Sequence, residues 1–205
     1  MNTINKLTEL FSKFPGIGPR QSKRFIYFLL TRNNGFLEEL SRLISQLKKE
    51  VIVCDECKRF FANSSNSNIC NICGDKNRDN ELLMVVERDA DFENIERSGA
   101  YEGKYFVLGG RVPILEKNPE QKIRARELVA VINTRIKNKN LKEIILAFSV
   151  NPEGENTEHY IKKLLSAIAE KHLLKISILG RGLSTGIELE YPDSETLKNA
   201  IKNRI

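Results

Sequence analysis

Residues 81–91 read ELLMVVERDAD, an apolar run that ends in charged side chains. The run at 82–86 has the length and composition of a strand that is buried on both faces, and Glu87 stands directly after it. Further helical and apolar patterns alternate along the chain: a helix at 90–97, a strand at 104–110, a helix at 119–137, a strand at 142–150, a helix at 156–172 and a strand at 175–180. Strands that alternate with helices predict an α/β domain with a mainly parallel sheet.

Acidic residues gather where two of the predicted strands end. Glu87 and Asp91 follow the first strand, and Glu153 and Glu155 follow the strand at 142–150. Because ligands of parallel sheets bind at the carboxyl ends of the strands, these carboxylates predict a site for a divalent cation, above all Mg²⁺. The pattern leaves one alternative open, in which the acids are solvated and stabilise the N-termini of the helices that follow.

All four cysteines of the chain fall within twenty residues, in the spacing C-x2-C-x12-C-x2-C. This twin motif predicts a tetrahedral zinc site that has no open position for water and is therefore structural. Its ligands are Cys54, Cys57, Cys70 and Cys73. We expect Gly74, directly after the last ligand, to supply the positive φ of a knuckle turn. The alternatives are two disulfides, a redox-active pair, or iron in the same cage of thiolates.

The segment PGIGP at 15–19 separates two apolar helical patterns, one at 3–14 and one that runs to about residue 31. Its proline at 15 cannot continue the first helix, and the proline at 19 suits the first position of the second. Gly16 and Gly18 permit a sharp turn between them that leaves backbone amides exposed. The sequence therefore predicts a hairpin of two helices close to the N-terminus.

Basic residues follow this turn in the sequence. Arg20, Lys23 and Arg24 lie at the start of the second predicted helix, where orphan amides and the helix dipole also favour a phosphate. The segment resembles a helix-hairpin-helix motif that holds DNA by its phosphates and does not read its sequence. The alternative is an ordinary helical connection whose glycines serve packing only. A third amphipathic helix, at 36–50, is expected to complete a small bundle.

The composition is that of a basic globular protein. The chain has 205 residues and a net charge of +6, and residues 1–50 hold nine Lys and Arg against four acids. A basic region favours a polyanionic partner such as DNA. No apolar run approaches the roughly 18 residues that would cross a membrane. The N-terminus lacks the continuous apolar region of a secretory signal, so we expect a cytoplasmic protein.

The order of these parts resembles the RecR family of bacterial recombination mediators over about residues 7–204. Three stretches carry the resemblance beyond the shared modules: IERSGAYEGKYFVLGG at 95–110, PEGENTEHYI at 152–161 and RGLSTGIELEYPDSETL at 181–197. The resemblance implies an α+β multidomain fold. Its parts would be a helix-hairpin-helix region at 1–52, a four-cysteine zinc finger at 53–78, an α/β Toprim domain at 79–175 and a short C-terminal strand and helix segment at 176–205 that serves oligomerisation.

The same resemblance implies a non-enzymatic, DNA-binding protein of recombinational DNA repair. It would act as a homotetramer with the partners RecO and RecF at single-stranded gaps in DNA and help to load recombinase. Glu87 and Asp91 match the Toprim acids of the family, and Glu153 and Glu155 match its E-G-E segment, which is linked to partner and metal interactions. The chain departs from the family where FSVNP stands at 148–152 and where ILEKNPEQ at 114–121 replaces a glycine-rich insert.

Two other functions are compatible with the residues. One is a Mg²⁺-dependent Toprim enzyme that processes phosphodiesters, a nuclease or a primase-like protein. That chemistry needs metals and a nucleophile or acid–base partner, and the sequence offers acids but no convincing partner. The other is a zinc-dependent RNA-binding or transcription factor, which would prefer structured RNA to gapped DNA.

Overall fold

The computed structural model of the chain describes residues 2–63, 67–180, 182–183, 186, 188, 190–192 and 194–202. The chain divides into two compact units, Met1–Val51 and Ile52–Ile205. Helices and strands follow in this order: α1 (Thr3–Phe11), α2 (Pro19–Leu30), α3 (Asn34–Glu50), β1 (Val51–Val53), β2 (Phe60–Ala62), α4 (Asn71–Gly74), β3 (Asp79–Val86), α5 (Asp89–Ser98), β4 (Gly103–Val107), α6 (Ala125–Lys139), β5 (Glu143–Ala147), α7 (Pro152–His172), β6 (Lys175–Ile178) and α8 (Ser194–Lys202).

The helices α1 and α2 form the predicted hairpin. The hydroxyl groups of Ser12 and Ser22 lie 2.9 Å apart and join the two helices, and the rings of Phe11 and Phe25 meet edge to face at 5.9 Å. The first helix ends at Phe11, three residues earlier than predicted. Phe14 precedes a proline, and that position disfavours the helical conformation.

The third helix does not build the expected bundle. Asn33 caps it by accepting a hydrogen bond from the amide of Phe36, but none of the described residues of α3 is buried. Its apolar side chains Leu43, Ile44 and Leu47 are 48%, 59% and 57% exposed. The amphipathic pattern thus predicted the helix correctly, whereas the conclusion that its apolar face packs within the same bundle was wrong.

A four-stranded parallel sheet forms the centre of the second unit, in the order β4-β3-β5-β6. This confirms the predicted parallel sheet. Leu83 and Val85 of β3 point to one face of the sheet, and Met84 and Val86 point to the other. All four side chains are buried, since both faces of the sheet are covered.

Two different layers cover the sheet. One face packs against apolar side chains of α6 and α7, among them Leu128, Ile132 and Ile161. The other face packs against Phe92 of α5 and against the four cysteines. The cysteine segment is therefore a layer of the α/β domain. Its packing against the sheet stabilises the segment in addition to any metal that the cysteines bind.

Two helices differ from their predicted bounds. The pattern at 119–137 divides into a short 3-10 turn, Pro119–Gln121, and the helix α6. The helix α7 begins at Pro152, four residues before the predicted start, because Pro152 occupies the first helical position and the side chain of Asn151 accepts from the amide of Gly154 at 2.8 Å. This places Glu153 and Glu155 in the first turn of the helix.

The strand β6 is the last strand of the sheet and pairs with β5, and the helix α8 follows it towards the C-terminus. Positions 181, 184, 185, 187, 189 and 193 of the stretch at 181–197 lie outside the described residues. Among the helices that are described, none combines the length and the apolar character that a membrane span requires.

Candidate functional site

The four cysteines converge on one point. Their sulfur atoms all lie within 4.8 Å of one another, and those of Cys57 and Cys70 are 3.6 Å apart. Four thiolates around zinc, at about 2.3 Å from the ion, would be about 3.8 Å apart. All four side chains are buried. The arrangement therefore fits a tetrahedral metal site that is closed to solvent.

The two knuckles that present these cysteines differ in structure. In the first, Lys58 has a φ of +62° and its amide donates to the carbonyl of Cys54 at 3.0 Å. In the second, the short helix α4 carries Cys73 and ends at Gly74, whose φ is not positive. The expectation for Gly74 was therefore wrong, because a helical turn replaces the tight turn at this position.

The cysteine thiols hydrogen-bond to one another, which favours ionisation of two of them. Hydrogen bonding with Cys57 lowers the pKa of Cys54 to about 5, and hydrogen bonding with Cys54 lowers the pKa of Cys70. The same network raises the pKa of Cys57 and of Cys73. Since thiolate is the form that binds metals, Cys57 and Cys73 would still have to lose their protons when a cation binds.

A buried lysine supports the second knuckle. Lys104 of β4 is 1% exposed, and its ammonium group donates to the carbonyls of Ile72, Cys73 and Asp75 at 2.9, 3.1 and 2.6 Å. An ammonium group has three N–H donors, so these three carbonyls match its capacity. Its positive charge lies at the C-terminal end of α4, where the free carbonyl groups of the helix favour a cation.

Hydrogen bonds also tie the first knuckle to the sheet. The amide of Val107 donates to the carbonyl of Cys57 at 2.8 Å. The guanidinium group of Arg124 donates to the carbonyl of Lys58 at 2.8 Å and to that of Val107 at 3.1 Å. The knuckle geometry and the end of β4 are thus held by the same contacts.

The acidic face lies at the carboxyl end of β3, as predicted, but its central acid is already engaged. Glu87 is 1% exposed. Its carboxylate accepts from the amide and the hydroxyl of Ser149, both at 2.9 Å, and forms an ion pair with Arg111 in which Nε lies 2.7 Å from Oε2. Arg111 also approaches Glu153, with 3.8 Å between Nη1 and Oε2.

The four predicted acids do not share one centre. Asp91 accepts from the amide of Arg88 at 2.9 Å and so caps α5. Glu153 has a half-exposed side chain, and Glu155 is exposed. Among the described residues, the four cysteines form the one group of three or more side chains whose ligand atoms could hold a metal ion together.

Gly154, between the two acids of the E-G-E segment, is required by close packing. A Cβ atom at this position would overlap the carbonyl oxygen of Ser149 and would lie 3.2 Å from a carboxylate oxygen of Glu87. We expect Gly154→Ala to lower the free energy of unfolding by about 1–3 kcal/mol, because backbone atoms must move to admit the methyl group. Urea unfolding of both proteins measures this difference.

Gly35→Ala is the matched control for that variant. Gly35 also lies in the first turn of a helix, but a Cβ atom there would meet only a side-chain oxygen of Asn33, at 3.7 Å. The control should be neutral or slightly stabilising. An unfolding free energy for Gly154→Ala within about 0.5 kcal/mol of the original protein would contradict the packing argument.

The hairpin presents its predicted basic residues to solvent. Arg20, Lys23 and Arg24 are all exposed on α2. Gly16 has a φ of +74°, and Gly18, the N-cap directly before α2, has an extended backbone. Both glycines are exposed as well. The basic side chains thus follow an open turn at the N-terminus of the helix.

Reasoning from the sequence missed Arg111, Ser149 and Lys104. Each of them acts on a residue more than twenty positions away in the chain. Lys104 carried one signal, since a charged residue opened an otherwise apolar strand pattern. Ser149 stands in the segment at 148–152, where the chain departs from the usual pattern of the family it resembles, and Arg111 stands three residues before the other such segment, at 114–121.

Comparisons with known proteins agree with this architecture. Residues 81–179 match the model of the Toprim domain. The chain is 33% identical to the recombination protein RecR of Lactobacillus acidophilus over 98% of this chain and 96% of that protein. It is 32% identical to the recombination protein RecR of Bdellovibrio bacteriovorus over 100% of this chain and 98% of that protein, and 35% identical to that of Bifidobacterium adolescentis over 98% and 94%.

These features define a Toprim protein of α+β multidomain fold. It has a parallel sheet with acids at its carboxyl edge, and four cysteines whose sulfur atoms are close enough to bind one metal ion. Identities above 30% over almost the whole length make the assignment specific. The chain belongs to the RecR family of recombination proteins.

Proposed function

We propose that this chain binds the phosphate backbone of DNA through its basic hairpin and thereby serves recombination. As a member of the RecR family it is a recombination mediator in DNA repair and not an enzyme. The observation that carries the DNA contact is the exposed set of Arg20, Lys23 and Arg24 beside the open turn of Gly16 and Gly18. Such a surface binds the phosphates of DNA whatever the base sequence is.

The cysteine cluster holds zinc in this proposal. Cys54, Cys57, Cys70 and Cys73 supply four buried sulfur ligands, and zinc prefers this ligand set in structural sites. The metal would fix the two knuckles against the sheet and would leave no position for a substrate. Its role is therefore to stabilise the domain.

The assembly that we propose is a homotetramer in the cytoplasm that works with RecO and RecF at single-stranded gaps. It rests on the family and on the exposed apolar side chains of the N-terminal unit, such as Leu43, Ile44 and Leu47 on α3. Neighbouring exposed apolar side chains can mark a surface that contacts another protein. A second copy of the same unit would cover them, and the segment at 176–205 would supply a further contact between copies.

The DNA proposal is tested by the double variant Arg20→Ala and Arg24→Ala. We expect weaker binding to gapped duplex, intact duplex and single strands alike. The slope of the logarithm of the binding constant against the logarithm of the salt concentration should fall in magnitude by up to about 2, because two phosphate contacts are lost. Titrations of labelled DNA over a series of salt concentrations measure both quantities.

The control is Lys48→Ala with Lys49→Ala, which removes the same charge from the same unit but lies in the last turn of α3, outside the hairpin. It should change the slope much less. Equal slopes for the two double variants would place the DNA contact elsewhere on the protein.

A further inference from the structure

We propose that Arg111 is a resident cation of the acidic face and takes the place that a divalent metal ion would need there. The Toprim fold and the acids at 87, 91, 153 and 155 raise the expectation of Mg²⁺. The residues present do not fit that ion, since the guanidinium group of Arg111 already lies between Glu87 and Glu153. This face of the protein is therefore independent of divalent metal.

The contact with Glu87 is mainly one of charge. Arg111 Nε lies 2.7 Å from Glu87 Oε2, yet within the described part of the chain its N–H has no acceptor in hydrogen-bond geometry. The delocalised guanidinium charge at this position offsets the negative charge of the carboxylate, as a bound cation would. The side chain of Arg111 is only 22% exposed, so water screens the pair weakly.

The backbone after Arg111 is fixed by the helix α7. The next amide, that of Val112, donates to the hydroxyl of Thr157 at 2.8 Å, and Thr157 is buried in α7. The side-chain amide of Asn156 donates to the carbonyls of Val112 and Pro113 at 3.0 and 3.2 Å. The arginine is thus held against the acids by the same helix that carries Glu153.

Both oxygens of Glu87 have further partners. Ser149 donates to both carboxylate oxygens, and the backbone of Gly154 packs so closely that even a methyl group would overlap Ser149. Mg²⁺ requires six oxygen ligands at about 2.1 Å and usually keeps several waters. Three of the about four lone-pair sites of the buried carboxylate are therefore taken, no room remains for a hydrated ion, and the guanidinium charge would repel one.

The test is a titration of the zinc-loaded chain with Mn²⁺. Binding is measured as the loss of the free Mn²⁺ signal in electron paramagnetic resonance. We expect the original protein to bind Mn²⁺ at this face no more tightly than about 1 mM. Arg111→Ala should gain a site at least about tenfold tighter, because two carboxylates lose their cation. The double variant Arg111→Ala with Glu87→Gln should lose this new Mn²⁺ site. Arg111→Lys keeps a cation at the position and should not gain the site.

Arg126→Ala is the matched control, since Arg126 forms an ion pair with Glu120 but has an 82% exposed side chain. It should bind Mn²⁺ as the original protein does. A folded Arg111→Ala protein that gains no site would overturn the proposal. So would a site in the original protein that Glu153→Gln weakens, and this second measurement decides the matter even if Arg111→Ala does not fold.

Discussion

Cys70→Ser should abolish stoichiometric metal binding and destabilise the whole second unit. Structural zinc sites in small fingers contribute about 10–16 kcal/mol, so the loss of one ligand of four should remove at least about 3 kcal/mol. The effect should reach the sheet, because Cys70 belongs to the same buried cluster as Met84, Val86 and Tyr105. Metal analysis of the purified protein and hydrogen exchange of β3 and β4 amides would measure both consequences.

Asn68→Ser is the control for that variant. It introduces the same residue two positions earlier, at an exposed side chain, and it keeps the backbone carbonyl that accepts from the amide of Asp55 at 2.9 Å. It should retain one metal ion per chain and the original exchange pattern. If Cys70→Ser still held one zinc ion per chain, the four-cysteine site would be misassigned. If Cys70→Ser lost zinc while the amides of β3 and β4 stayed protected from hydrogen exchange, the cysteine segment would not contribute to the stability of the sheet.

Local patterns were sufficient for much of the fold. A strand with apolar residues on both faces, such as the one at 82–86, is recognisable because no solvent-facing position interrupts it. The cysteine spacing likewise identified its own cluster, since two residues between ligands leave both thiols on one turn. These features depend on neighbours in sequence, and a single chain displays them directly.

Features that depend on distant partners could not be predicted in this way. The sequence indicated that α3 has an apolar face, but it contains no information about what covers that face, and the bundle inferred from it was wrong. The acids were found at the correct edge of the sheet, yet Arg111 lies more than twenty residues from Glu87. The pairing of a cation with a distant acid produces no periodic pattern in the sequence. The sequence alone therefore did not reveal that Arg111 occupies the place of the expected metal ion.

Lys104→Met should cost several kcal/mol of stability and should weaken metal binding by the four cysteines. The substitution keeps the apolar length of the side chain but leaves the carbonyls of Ile72, Cys73 and Asp75 without the ammonium donor. Hydrogen bonds to a charged group contribute about 1.5–3 kcal/mol each. Release of the buried charge offsets part of that sum, and we expect a net loss of about 3 kcal/mol.

The same variant should release zinc to a chelator about 10–100-fold faster, because outer partners of metal ligands affect affinity by that factor. Lys142→Met is the control, since Lys142 pairs with Glu81 at the surface with a 61% exposed side chain and should change stability by less than about 1 kcal/mol. Urea unfolding and zinc release to a coloured chelator would compare the two variants. Equal zinc release from both would show that Lys104 stabilises only the sheet. Faster release confined to Lys104→Met would establish that the strand β4 and the second knuckle form one cooperative element.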